Sequence, residues 1–311
     1  QLTDVDSFGA AIGIYRAANA LEKRAYIVIN EVSASLKPLY TAYENNPDYP
    51  ERLFLNSAEA LELADESSMV VVVDTNRPGM TECEELLHVA KTIVVLDHHR
   101  QSSDNIDNAL LSYIEPYASS ACEMVSEVLQ YIVDDIKIPN LEASSLYAGI
   151  MIDTNNFMNK TGVRTFEAAA FLRRSGADIT LVRKMFRDDM ESYRAKAQII
   201  SSAEVYHNKY AIARGENLTI ESPTIIGAQA ANELLDINEV KASFVLTTYN
   251  GRIYVSARSI DEVNVQIIME RLGGGGHMNA SGAQFDHTDM DEAVADLKQV
   301  IDDVIEGGEI E

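Results

Sequence analysis

The residues best suited to chemistry are acids and histidines placed where apolar runs end. Asp97-His98-His99 follows the run Val94-Val95-Leu96, and Asp74 follows Val70 to Val73 and opens the loop Thr75-Asn76-Arg77-Pro78. Asp4 and Asp6 stand two apart just ahead of Gly9, and Asp153 closes the apolar stretch Gly149 to Ile152. Groups at the carboxyl ends of parallel strands are where an open α/β sheet meets its ligands. Each residue also has a plainer use. An aspartate often caps a helix or shapes a turn, and a loop histidine can bind a backbone carbonyl. As a set, carboxylates with one or two imidazoles and no thiolate suit Mn2+ or Mg2+. Two such ions about 4 Å apart clamp a phosphodiester and activate a water between them. No Gly-x-Ser-x-Gly elbow points to acyl transfer instead.

A second group lies towards the C-terminus. Gly273, Gly274, Gly275 and Gly276 precede His277; consecutive glycines let backbone amides approach a phosphate closely, and the histidine can donate to it. The same run serves equally as a flexible turn. Arg258, after the strand-like Tyr254 to Ala257, is a candidate phosphate fork or a surface arginine facing one of many acids.

The elements that must position these groups are legible as apolar patterns. Ala25 to Asn30, Met69 to Val73 and Thr92 to Leu96 are apolar at nearly every position, as parallel strands covered on both faces are. Helical patterns at Phe8 to Leu21, Ser57 to Ala64 and Thr81 to Ala90 lie around them, so the first half predicts an α/β parallel sheet. Helical spacing continues over Asn140 to Asp153, Thr165 to Ser175 and Ile179 to Phe186. A polar, helix-compatible stretch at 188–205 predicts a linker helix between a domain at 1–187 and a smaller α/β domain at 206–311. In the latter, Tyr210 to Ala213, Ala242 to Thr248 and Arg252 to Ala257 predict strands, the last two joined at Tyr249-Asn250-Gly251. A helix from Met290 to Ile305 closes the chain.

Composition narrows the partners. The 311 residues carry 49 acids against 25 bases, a formal net charge of −24. That excludes non-specific binding to long nucleic acid or to an anionic membrane surface, but not a small phosphate ligand, since bound cations reverse the local field. Cys83 and Cys122 are the two cysteines, far apart and outside metal spacing, as in reduced cytoplasmic proteins. No apolar run is long enough to cross a bilayer.

The ordered set Asp4-x-Asp6-Ser7, Asp74, Asp97-His98-His99, Asp153 and Gly273-Gly-Gly-Gly-His277 resembles the DHH/DHHA1 phosphoesterase family over nearly the whole chain. Glu115-Pro-Tyr-Ala-Ser-Ser-Ala-Cys-Glu-Met124, Ala148 to Phe157 and Thr161 to Phe166 are similar to the catalytic part of GdpP-type (YybT-type) cyclic-di-AMP phosphodiesterases. The resemblance implies a parallel-sheet DHH domain, a DHHA1 domain, and an active site in the cleft between them. It implies two Mn2+ ions: Asp74 bridging both, Asp4 on the first, and Asp6, His98 and Asp153 on the second. The catalytic candidates are then Asp97, orienting the histidines, and His99, facing the scissile phosphate; Arg258, Gly274, Gly275, Gly276 and His277 hold the substrate. It further implies a homodimer and a cytoplasmic part of a membrane-anchored parent, with no membrane contact by this portion. The family's first motif carries a histidine four residues before its first aspartate, which falls immediately ahead of Gln1 and is expected in the parent protein.

The resemblance therefore implies hydrolysis of cyclic di-AMP to linear pApA. A nanoRNase or pAp-phosphatase-type hydrolase of short linear oligonucleotides is the alternative within the family. A catalytically silent nucleotide-binding sensor is the alternative outside enzymes.

Overall fold

β-Branched runs with no interruption form strands when both faces are covered, and capped amphipathic segments form the helices that cover them. The computed structural model describes residues 3–101, 103–187, 189–220, 222–260, 263–285 and 289–308. The chain divides into two units, residues 1–187 and 188–311. The first runs α1 (Val5–Ala20), β1 (Ile27–Val28), α2 (Lys37–Glu44), β2 (Phe54–Leu55), α3 (Ser57–Leu63), β3 (Met69–Val73), α4 (Leu86–Val89), β4 (Thr92–Asp97) and β5 (Leu111–Ile114). Then come α5 (Ala121–Ile132), α6 (Asn140–Asp153), α7 (Val163–Arg174) and α8 (Ile179–Met185).

Strands β3, β4 and β5 form a parallel sheet in that order, with Val73 opposite Leu96 and Asp97 opposite Ile114. This register sets the ends of β3 and β4 side by side, so Asp74 and Asp97 emerge from one edge. The strand expected at Ala25 to Asn30 shrinks to β1, which pairs with β2 in a separate two-stranded sheet. The helix expected over Thr81 to Ala90 is also shorter. Thr81 is extended, and a 3-10 turn at Pro78–Met80 precedes it. Glu82 is taken up in bonds from Thr3 Oγ1 and from the Asn30 amide and side chain, leaving only Leu86 to Val89 helical.

Helix α1 packs on α6 and α5 by very close approach. A Cβ at Gly9 would lie 2.6 Å from the Ser145 carbonyl oxygen and 2.7 Å from Cys122 Sγ; one at Gly149 would lie 2.3 Å from that sulfur. Glycine on α1 and on α6 thus makes the notch that the fully buried Cys122 fills. Phe8, Ile12, Leu146, Ile150 and Leu129 complete this core.

The second unit runs α9 (Met190–Ser201), β6 (Glu204–Tyr206), β7 (Tyr210–Gly215), α10 (Pro223–Leu234), β8 (Ala242–Tyr249), β9 (Arg252–Ser259), α11 (Val265–Arg271), β10 (Gly275–His277), β11 (Ala280–Phe285) and α12 (Met290–Glu306). Its six-stranded mixed sheet has the order β10-β11-β9-β8-β7-β6. One face packs Phe244, Leu246 and Val255 against α11 and α12, and the other packs Ala211, Ala213 and Val245 against α9 and α10. The stretch read as a linker contains α9, which buries Ala195 and Ile199 in this unit's core. Asn250 and Gly251 have φ of 49° and 72°, the left-handed pair that a tight two-residue hairpin requires. Among the described residues no helix is long and apolar enough to cross a membrane.

Crowding at the Cys122 notch yields a prediction. Gly149→Ala is expected to lower stability by about 1–3 kcal/mol through overpacking, read as a fall in Tm. Adding Cys122→Ala, which removes the sulfur, is expected to return at least about 0.5 kcal/mol of it as coupling. Strict additivity of the two substitutions would contradict the notch.

Candidate metal centre

The centre is built where β3, β4, α1, α5 and α6 all begin or end. Asp74 follows β3 with φ of 62°, a conformation that places a non-glycine residue at about 1–3 kcal/mol of strain. Its amide still donates to the Leu96 carbonyl at 2.9 Å, so the strand pairing is finished before the chain turns. The side chain points inward, and its Oδ1 is buried with no hydrogen-bond partner. Buried carboxylate oxygens without partners are rare, and a cation is one resolution of them.

Asp97, the last residue of β4, is 0% exposed. Its Oδ2 accepts from Asn76 Nδ2 at 2.5 Å, and its Oδ1 accepts from the His99 amide at 3.1 Å and the His99 ring Nδ1 at 2.8 Å. Burial pushes this carboxyl up, but the bonds from His99 and Asn76 outweigh it and hold it below the ordinary value. An ionised carboxylate only accepts, so Nδ1 donates to it and Nε2 is the ring nitrogen that Asp97 leaves unengaged.

Asp6 lies in the first turn of α1, and the cap of that helix is Asp4, whose Oδ1 accepts from the Ser7 amide and hydroxyl at 2.9 Å. Asp6 instead caps a different helix. Its Oδ2 and Oδ1 accept from the amides of Ala121 and Cys122 at 2.7 and 2.9 Å, at the start of α5. Unsatisfied amides and the positive end of the helix dipole favour a carboxylate there. Asp153 is the last residue of α6, and close packing of α6 on α1 brings it to the same place.

His98 sits between these acids. Its Nε2 is 3.2 Å from Asp74 Oδ1, 3.4 Å from Asp153 Oδ2 and 3.7 Å from Asp6 Oδ2. Two ligands at right angles about 2.1 Å from a hard cation are themselves about 3 Å apart, so the spacing fits a cation held between them. Ligand atoms of Asp6, His98 and Asp153 form one candidate group, and those of Asp74, His98 and His99 form a second. The first gathers three residues expected on one ion. The second brings His99, expected opposite the phosphate, beside Asp74, with its Nδ1 3.6 Å from Asp74 Oδ1. Asp4 is in neither group, although its charge reaches both Asp74 and Asp153.

Burial and mutual repulsion raise the carboxyls. Asp6 is pushed up to about 7 by burial and by Asp74, with His98 and the Cys122 amide opposing. Asp74 rises to about 8 through burial and the charge of Asp4, and Asp153 to about 7 through burial and Asp6. The His99 imidazole is raised to about 9, first by its bond to Asp97 and then, against its burial, by Asp74. Two contributions were not legible in the sequence: the Asn76 amide behind Asp97 and the α5 amides behind Asp6. Asn76 follows Asp74 by two residues, but nothing in the spacing says that it turns back to β4.

Arg258, Gly274, Gly275, Gly276 and His277 all belong to the second unit. Arg258 lies inside β9, opposite Ala280, and its Nη1 donates to the Ala257 carbonyl at 2.9 Å. Burial lowers its guanidinium from the ordinary value. The glycine run is not all loop: Gly275 to His277 form β10, with His277 exposed and opposite Ala280. A Cβ at Gly274 would meet the Gly282 carbonyl at 2.1 Å, and Gly276 has φ of 145° with Ser281 Cα 2.6 Å from its missing Cβ. These two glycines are required for the strand pairing itself.

The raised acids set a pH dependence. A carboxyl raised in the folded state contributes stability that is fully present below its unfolded value near 4 and is lost as pH rises through its folded value. The same sign holds for His99 between about 6.5 and 9. Metal-free protein should therefore lose stability between about pH 4 and 8. Thermal melts should show Mn2+ raising Tm far more at pH 8 than at pH 5, and Asp74→Asn should flatten the metal-free slope. An equal Mn2+ effect at both pH values would contradict this origin.

Comparison with known proteins places the chain. The family model described as "DHH family, N-terminal domain" matches residues 1–150, and the DHHA1 domain model matches 218–306. The chain is 41% identical over 308 residues to the cyclic-di-AMP phosphodiesterase GdpP of Geobacillus thermodenitrificans, covering 98% of this chain and 46% of that protein. It is 39% identical to the cyclic-di-AMP phosphodiesterase PdeA of Listeria monocytogenes, over 96% of this chain and 46% of that protein. The chain thus spans just under half the length of these curated relatives. A bifunctional oligoribonuclease and PAP phosphatase NrnA from Mycoplasma genitalium is 31% identical over 70% of this chain and 68% of its own. The crystal structure of an exopolyphosphatase-related protein from Bacteroides fragilis superposes with a TM-score of 0.78 at 22% identity, covering 97% of this chain and 89% of that one, a likeness of fold. The chain belongs to the DHH family of phosphoesterases, with DHHA1 as its second domain.

Proposed function

We propose that the chain hydrolyses cyclic di-AMP to linear pApA with two Mn2+ ions. The observation that carries the metal chemistry is the convergence of Asp6, Asp74 and Asp153 on His98 Nε2, with Asp74 Oδ1 buried and accepting no hydrogen bond. The substrate rests on the 41% and 39% identity to proteins named as cyclic-di-AMP phosphodiesterases. When bound, the ions supply a deprotonated water and neutralise charge on the phosphate. Asp74 would bridge them, Asp4 would serve the first, and Asp6, His98 and Asp153 the second.

The remaining roles fall to the chain's own groups. Asp97 fixes the His99 ring through Nδ1, which leaves Nε2 to face the scissile phosphate. Arg258 and His277, with the amides of Gly274 to Gly276, hold the substrate's phosphates. Arg258 suits this because its guanidinium is partly desolvated, and among the described residues no acid is within salt-bridge distance in the ion pairs of this unit. An NrnA-type activity on short linear substrates has weaker support, since that relative is 31% identical over 70% of the chain.

Incubation of the protein with Mn2+ and cyclic di-AMP should yield pApA, and faster cleavage of pApA to AMP would favour the NrnA-type reading instead. Asp74→Asn should lower kcat by at least about 10^3-fold, since a shared ligand anchors several kcal/mol of charge stabilisation. Arg258→Ala should raise KM by about 10–100-fold with kcat nearly unchanged, as loss of a charged hydrogen bond in binding alone. Full turnover in the Asp74 variant would refute the bridging role.

A further inference from the structure

Two segments that carry the family resemblance, Glu115 to Met124 and Thr161 to Phe166, supply none of the ligands discussed above. In the structure they meet. Glu123, 1% exposed on the first turn of α5, accepts at Oε2 from Thr165 Oγ1 at 2.6 Å, Ser119 Oγ at 2.6 Å and the Ser119 amide at 3.3 Å. Arg164 lies 4.0 Å from the Glu123 carboxylate and pairs at 2.6 Å with Glu127 and at 3.6 Å with Glu115, which offsets this group of acids. A buried carboxylate is retained at such a place only if its bonds are satisfied, and here they tie the residue just before the α5 cap to α7.

What they tie down is the turn that grips Asp6. Ser120 caps α5, its Oγ accepting from the Glu123 amide at 3.0 Å. That leaves the amides of Ala121 and Cys122, both at 0% exposure, to the two oxygens of Asp6. The direction of the Asp6 carboxylate is therefore set by where α5 begins. That point is fixed on one side by Ser120 and on the other by Ser119, Glu123 and Thr165.

We propose that Glu123, held by Thr165, is a positioning residue for the metal centre: it fixes the α5 terminus that orients Asp6 towards the second ion. The two segments thus serve the site without supplying a ligand to it. The inference rests on Asp6 being a ligand. Outer groups that orient a metal ligand are commonly worth about 10–100-fold in metal affinity.

The test is Mn2+ binding to the intact protein without substrate, by calorimetry and by the paramagnetic resonance of free Mn2+. Thr165→Val, which removes the donor, and Glu123→Gln, which weakens the acceptor, should each loosen one of two Mn2+ equivalents about 10-fold. Thr165→Ser, which keeps the hydroxyl, should bind as the unaltered protein does. The Mn2+ concentration for half-maximal turnover should rise in parallel, with kcat recovered at saturating Mn2+. Asp6→Asn is the control that separates the two readings. If it leaves both equivalents unchanged, Asp6 is not a ligand and the inference falls with that assignment. If it loses one equivalent while Thr165→Val lowers only Tm and leaves Mn2+ affinity unchanged, the clamp is merely structural and the inference alone is overturned.

Discussion

The constraint on which the first unit depends is the gathering of like charge in a place with little water. Asp6, Asp74, Asp97 and Asp153 are drawn together, and burial with mutual repulsion pushes three of them well above the carboxylate range. Such a group persists only because the surrounding elements leave it no other arrangement. Asp97 is satisfied by Asn76 and His99, and Asp6 by two helix amides. Asp74 Oδ1 is buried and accepts no hydrogen bond, 3.2 Å from the imidazole of His98. The protein therefore answers Asp6 and Asp97 with its own donors, and in the proposed chemistry cations would answer Asp74 and Asp153. That division is the structural content of the metal reading.

Close packing is what makes the gathering possible. Asp6 and Asp153 are on different helices, and their approach requires α1 and α6 to lie nearer than ordinary side chains permit. Gly9 and Gly149 provide that approach, and Cys122 fills the space between them while its thiol donates to the Asp6 carbonyl at 3.2 Å. The burial that drives the Cys122 thiol well up from its ordinary value also removes it from thiolate chemistry. It is a packing residue that sits against Asp6.

Much of this was legible in the sequence because the relevant signals are local. An acid that ends a valine run needs no partner to be noticed, so Asp74, Asp97 and the histidines stood out, as did α6 with Asp153 at its end. What was illegible depends on contacts between distant residues. Nothing local to Asp6 says that its oxygens cap a helix starting at Ala121, and nothing local to Glu82 says that it ends in bonds to Thr3 and Asn30 and so shortens the helix expected at Thr81. Strand β5 escaped for a related reason. Leu111 to Ile114 are short and largely exposed at the edge of their sheet, and neither an alternating nor a continuously apolar pattern marks them. The glycine run misled in the other direction: composition reads as a turn, but Gly274 and Gly276 are needed so that β10 can lie against β11.

The net charge of −24 gives the proposed chemistry an order. A dinucleotide carries its charge on the phosphates, and a chain of this net charge repels an anion at long range. Divalent cations would reverse that sign locally, so in the proposed chemistry metal occupancy would favour substrate binding as well as turnover. As a proposed phosphate-binding group, Arg258 would add what cations cannot, because a planar guanidinium recognises phosphate oxygens by direction and not only by charge. On this reading the acids of the first unit confer no affinity for the substrate by themselves. They would determine where the cations lie, and the cations would supply the attraction for phosphate that the acids lack.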